Sequence, residues 1–159
     1  MSENWNDLGA VLIPFLARCG TAAFCGALIG LERELKGKPA GFRTNILICL
    51  GSAMYMAVGL LIVDAGGQTG SDPARIAAQV VTGIGFIGAG AIIQERGRVT
   101  GLTTAATIWV VAAIGIVAGA GFPVLALISS AMVLVTLRVL RLVEERLTGN
   151  EQASRDQGA

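Results

Sequence analysis

Five apolar runs, each close to the length needed to cross a bilayer, constrain this chain more than any other feature. A helix covers the hydrocarbon core with about 20 predominantly apolar residues. Runs of that kind lie at Leu8–Leu31, Thr44–Val63, Pro73–Ile93, Leu102–Gly119 and Pro123–Val143. Only 14% of the 159 residues are charged, against about 25% in soluble domains. Pattern and composition together predict an all-α polytopic membrane protein. Five transmembrane helices occupy residues 1–146, and the polar segment 147–159 is expected to be a disordered tail. Asp72-Pro73 reads as an N-cap followed by proline at the first helical position, and the GAGFP segment ending at Pro123 reads as a turn that starts the fifth helix similarly.

Direction follows from the basic residues beside the spans. Arg33, Lys36, Lys38 and Arg43 lie in the loop after the first span, and Arg96 and Arg98 follow the third. Arg138, Arg141, Arg146 and Arg155 close the chain, while Arg18 and Arg75 are the exceptions. This bias predicts an outside N-terminus and a cytoplasmic C-terminus in a bacterial inner membrane. The start, MSENWND, has no positive n-region, so the first apolar run is expected to stay in the mature protein.

Several chemistries are excluded. The net charge of +1 offers no global field for nucleic acid. There is no histidine, and Cys19, Cys25 and Cys49 sit inside apolar runs without zinc spacing, so they read as small apolar filler. No G-x-S-x-G, Walker A or H-E-x-x-H pattern occurs, and no enzyme, cofactor or metal site is expected. Glu32, Glu34 and Glu95 could approach a hydrated Mg²⁺, which needs only one or two carboxylates, but pairing with neighbouring Arg and Lys is the simpler reading.

The stretch TGIGFIGAG places Gly83, Gly85 and Gly88 in the G-x-G-x-x-G spacing of a dinucleotide loop, with Gly90 beyond. That fingerprint needs a strand before it and an acidic residue about 20 positions on. No acidic residue occurs between Glu95 and Glu144, and the glycines fall inside a bilayer-length run. They are read instead as close helix packing, for which lipid supplies no hydrophobic substitute. Gly26 and Gly30 on the first span and Gly115 and Gly119 on the fourth repeat the small-residue step of four. A break in the helix lining a cavity remains the alternative.

Polar residues inside the runs form the other candidate site. Arg18 falls about 15 Å into the first span at 1.5 Å per residue, where a charge either finds bundle partners or snorkels outward. Asp72 and Asp64 are its nearest acidic candidates. Asp72, Arg75 and Gln79 step along one face of the third helix, and Thr103, Thr104 and Thr107 along the fourth. With Arg18 they make an internal polar cluster plausible.

Three stretches, GALIGLERELKGKPAGFRTNILICLGSA, DPARIAAQVVTGIGFIGAGAII and RVTGLTTAATIWVVAAIGIVAGAG, resemble the bacterial MgtC/SapB family in order and content. The family pattern falls on Glu32, Arg33, Glu34, Lys38, Ala40, Gly41, Arg43 and Thr44. It continues through Asp72, Pro73, Arg75, Gln79, Gly83, Gly85, Phe86, Gly88 and Gly90, and closes on Gly101, Leu102, Thr103, Thr104, Ala105, Ala106 and Trp109. The resemblance implies five inner-membrane helices, a link to magnesium homeostasis, low-magnesium growth and virulence, and regulation of another membrane complex. The proton-driven ATP synthase and a magnesium P-type ATPase are the implied complexes. Longer family members carry a soluble C-terminal domain, so the chain is expected to represent the membrane part alone.

Two functions stay open at this level. One is a regulatory or accessory protein acting through helix contacts, with the bilayer, other membrane proteins and a second copy as partners. The other is an ion (Mg²⁺) permease with a path lined by Arg18 and the third and fourth helices. Either way, reporter fusions after Ala159 and within the GGQTG loop should give opposite topology signals. Equal signals from the two sites would contradict the five-span reading.

Overall fold

The computed structural model describes residues 5–66, 72–95 and 98–156. Arg96, the GQTG segment and the last three residues of the expected tail therefore lie outside the described residues. Five helices follow in order: α1 (Trp5–Leu35), α2 (Phe42–Gly66), α3 (Pro73–Gly90), α4 (Leu102–Gly119) and α5 (Pro123–Asp156). Asp72 caps α3 as its sequence position implies, accepting a hydrogen bond from the Ala74 amide at 2.8 Å, with Pro73 in the first turn. Gly121, at φ +93°, makes the turn that delivers Pro123 to the start of α5.

Two features differ from the expected pattern. The third run was expected to be helical to Ile93, but α3 ends at Gly90, where the Ala91 and Ile92 amides donate to the Gly88 and Ala89 carbonyls in tightened turns. Ile93–Glu95 (β1) and Arg98–Thr100 (β2) then pair as a short antiparallel hairpin, with Ile93 opposite Thr100 and Gln94 opposite Val99. The fold is all-helical as expected, apart from this one small hairpin. Gly101, at φ +88°, turns the chain from β2 into α4, and a Cβ there would collide with the Ala91 carbonyl. At the other end, α5 continues through Asp156, so helix extends into the segment expected as a tail.

Four helices contain segments long and apolar enough to cross a membrane: Leu8–Leu35, Phe42–Asp64, Leu102–Gly119 and Pro123–Leu140. α3 is not among them, because its 18 residues include Arg75 and Gln79. Large apolar side chains, including Ile13, Phe24, Tyr55, Phe86, Trp109 and Met132, lie on the outside of the bundle. That surface suits a lipid solvent and would be a liability in water. The chain is a multi-pass membrane protein.

α4 is the axis of the bundle and touches each of the other four helices. Beyond the threonines of its first two turns it is apolar all round, the pattern of a helix surrounded by others, and it buries Ile108, Val111, Ala112, Ile114 and Ala118. Consecutive helices reverse direction, whereas α2 and α4 run parallel, since Gly115 meets Cys49 and Gly119 meets Ala53. Gly30 meets Phe42 and Gly26 meets Asn45, which sets α1 antiparallel to α2; Gly59 meets Ile76, and Gly88 meets Ala105, which does the same for α3 against α2 and α4.

The glycines divide into two groups. A Cβ on Gly26 would stand 2.7 Å from the Asn45 carbonyl oxygen, and one on Gly30 2.8 Å from Phe42 Cα. On α4, a Cβ on Gly115 would collide with the Cys49 carbonyl and one on Gly119 with that of Ala53. Gly83, Gly85 and Gly90 face open space, and Gly88 has room for a methyl group, with Ala105 at 3.8 Å. The glycine-dense motif is therefore not where backbones approach most closely in this bundle. Gly115→Ala should lower thermal stability in detergent by about 1–3 kcal/mol, the usual range for overpacking. Gly85→Ala should leave it unchanged or slightly raised, because alanine is the better helix former. Equal melting temperatures for the two variants would contradict this assignment.

Candidate functional site

The richest polar structure lies where α1 ends, α2 begins and α4 begins. Glu32 and Arg33 sit in the last turns of α1 with only 4% and 3% of their surface exposed. Lys36 pairs with Glu32 one turn on. Arg33 Nη2 donates to Thr104 Oγ1 at 3.1 Å, a buried bond that ties α1 to the first turn of α4. Arg33 Nε and Glu32 Oε2 have no hydrogen-bond partner. Two charged side chains so deep at a helix end need their neighbours, because burial without pairing is expensive.

The loop from Glu34 to Thr44 is shaped by its own polar groups. The Lys38 amide donates to the Arg33 carbonyl at 3.0 Å, and Gly37 takes φ +61° to let the chain reverse. Glu34 Oε2 accepts from the Phe42 amide at 2.9 Å, satisfying one of the free donors at the start of α2. Its carboxylate occupies the space that a Cβ on Gly41 would need. Asn45, fully buried, donates through Nδ2 to the Ala40 and Gly41 carbonyls, both at 2.8 Å. Lys38, Arg43 and Thr44 remain exposed. Sequence reasoning missed Asn45; the signal was an amide one turn past Gly41 at the edge of an apolar run.

The expected cluster around Arg18 is not assembled. Arg18 is half-buried, and its guanidinium lies 3.4–3.6 Å from the position of a Cβ on Gly121, in the turn between α4 and α5. Thr104 stands 17 residues before Gly121, so Arg18 and Thr104 sit at opposite ends of α4, about 25 Å apart along its axis. The Lys36–Glu32 pair is the only ion pair among the described residues, so neither Asp64 nor Asp72 pairs with Arg18. The threonines also separate. Thr107 returns its hydroxyl to the Thr103 carbonyl at 2.8 Å, Thr103 is exposed, and only Thr104 reaches another helix.

On α3, Asp72, Arg75 and Gln79 are exposed, and Asp72 is occupied as the cap. Gln79 and Gly83 line a largely apolar groove of about 500 Å³ between α2 and α3. A second cavity, of about 670 Å³, opens among α1, α4 and α5, and Arg33, Lys36, Lys38 and Thr103 line its polar end. No three of His, Cys, Asp and Glu converge among the described residues. Glu32 and Glu34 are engaged by Lys36 and the Phe42 amide, and the Glu95 side chain lies outside the described residues.

The sequence model of the MgtC family matches residues 20–146. YhiD of Escherichia coli, provisionally named a magnesium transporter, is 48% identical over 136 residues, 84% of this chain and 63% of the relative. The MgtC protein of Brucella abortus is 41% identical over 126 residues, covering 79% of this chain and 51% of the relative. That of Salmonella typhimurium is 39% identical over 137 residues, covering 86% and 57%. The chain thus spans 51% to 63% of these relatives' lengths. No solved structure matches it.

The loop geometry makes a direct demand on stability. Asn45→Ala should destabilise the protein by about 1–3 kcal/mol, because it leaves the Ala40 carbonyl without its side-chain donor and the Gly41 carbonyl with only the Asn45 backbone amide. Thr44→Ala, at the exposed neighbouring position, should stay within about 0.5 kcal/mol of the parent. Melting of both variants in detergent checks this, and equal stability would contradict the role given to Asn45.

Proposed function

The chain belongs to the MgtC family, and on that premise we propose that it is a regulatory or accessory membrane protein. Its link is to magnesium homeostasis, and it acts by helix contacts with another membrane complex. The link to magnesium is supported by the name of its Escherichia coli relative. The links to low-magnesium growth and virulence, and the candidate complexes, the proton-driven ATP synthase and a magnesium P-type ATPase, follow from the family resemblance. In this reading α3 is the fifth span, consistent with its antiparallel placement beside α2 and α4. The N-terminus lies outside and the C-terminus in the cytoplasm of a bacterial inner membrane.

The closed interior carries the proposal. Between Arg18 at one end and Arg33 at the other, the bundle is filled by Ala22, Cys25, Ile29, Val111, Ala112 and Ile114, each at most 2% exposed. Backbone contacts at Gly26, Gly30, Gly115 and Gly119 close the faces of α1 and α4 against α2, and the cavity among α1, α4 and α5 runs along α4 from Thr103 to Val110. A hydrated ion moving along α4 would have to displace this packing, and the polar groups at the two ends do not connect through it. The outward faces of α2 and α3, by contrast, present apolar surface and open glycines to whatever lies alongside.

A regulator needs no path of its own, whereas a permease must move its ion when alone. Purified protein in liposomes should therefore give no Mg²⁺ flux above empty vesicles. Its expression should instead alter ATP-driven proton pumping or ATP synthesis in inverted membrane vesicles. Mg²⁺ flux from the isolated protein, lost in Arg18→Ala, would establish the permease reading in its place.

A further inference from the structure

We infer that the cavity among α1, α4 and α5 binds the phosphate headgroup of an anionic phospholipid. Arg33 carries the argument. It is 97% buried by its 3% residual exposure, lines the cavity, and is held by Thr104 through Nη2 while Nε has no partner. A buried guanidinium donor left unmet is costly, and guanidinium matches phosphate oxygens in geometry.

Three further observations point the same way. Lys36 and Lys38 share the polar end with Arg33 against the single carboxylate of Glu32, already engaged by Lys36. The local balance is therefore cationic, which disfavours a metal ion at Glu32 and favours an anion. α4 begins at this cavity with Gly101 as its N-cap and no side-chain hydrogen bond to its first turn. Thr103 of that first turn lines the cavity, so the positive end of the α4 dipole lies beside it and favours an anion. The rest of the wall is mainly apolar, through Ala106, Val110, Val133, Leu137 and Leu140, with Thr107 and Thr136 among them. A volume of about 670 Å³ holds more than a phosphate group. Charge at one end and an apolar wall on the outside of a membrane bundle fit an amphiphile, and basic pockets between helices are a known form of headgroup site.

The test measures binding and thermal protection of the purified protein in detergent with dioleoyl-phosphatidylglycerol. Dioleoyl-phosphatidylcholine, glycerol 3-phosphate and inorganic phosphate are the comparison probes. Phosphatidylglycerol should protect best. Lys38→Gln should weaken its binding about fivefold, as expected for one interfacial cation. Arg33→Gln should weaken it more, while Arg75→Gln, on the exposed start of α3, should not change it. If Arg33→Gln does not fold, Lys38→Gln against Arg75→Gln decides. Equal protection by phosphatidylcholine, or equal losses from Lys38→Gln and Arg75→Gln, would overturn the site. Equal protection by glycerol 3-phosphate or inorganic phosphate would overturn the lipid as its occupant.

Discussion

Close backbone approach of α1 and α4 to α2 is the constraint on which the rest of the structure depends. Within lipid, apolar side chains gain little by leaving the solvent, so helices are held by contact at short range and by polar bonds. Gly26 and Gly30 bring α1 onto the first turns of α2, and Gly115 and Gly119 bring α4 onto its middle. Every other polar arrangement presupposes that proximity. Arg33 can reach Thr104 only because α1 and α4 both lie close against the same helix. Asn45 closes the loop beneath them by holding the Ala40 and Gly41 carbonyls.

From this packing follows an asymmetry between the two halves of the molecule. α1, α2 and α4 form an interior of small and branched side chains closed at one end by the Glu32–Lys38 segment. α3 buries only Ile84 and Gly88, leaves Phe86 almost wholly exposed, and stands off α2 across a groove. A helix that buries so few of its own side chains suits the surface at which the proposed partner would dock. The bundle keeps its charged groups near its ends, Arg18 at Gly121 and Arg33 at Thr104, while buried Ser130 returns its hydroxyl to its own helix, an arrangement that fits a scaffold better than a conduit.

Much of the fold was legible because bilayer-length runs and punctuating residues are local signals. Asp72-Pro73 and the glycine before Pro123 mark helix starts by chemistry that needs no distant partner. The β1–β2 hairpin was not legible: its three-residue strands are too short to show a period, and its entry and exit depend on Ala91 and Gly101 meeting. Glycine spacing identified small-residue faces but not their partners. Gly115 and Gly85 look alike in sequence, yet one meets a carbonyl and the other meets nothing. The same limit separated Arg18 from the threonines. Helical periodicity places residues on a face, while which ends of two helices meet is decided by the whole bundle. Asn45 and the Arg33–Thr104 bond belong to that second kind of information.

The central claim, a closed interior around α4, is tested most directly by amide hydrogen exchange of the protein in lipid nanodiscs. Exchange requires water to reach the backbone, so it separates a packed core from a hydrated path. The account predicts that 108–119 of α4 and 45–57 of α2 exchange far more slowly than 81–89 of α3. Exchange along 108–119 as fast as in α3 would show water beside α4 and contradict the closed interior.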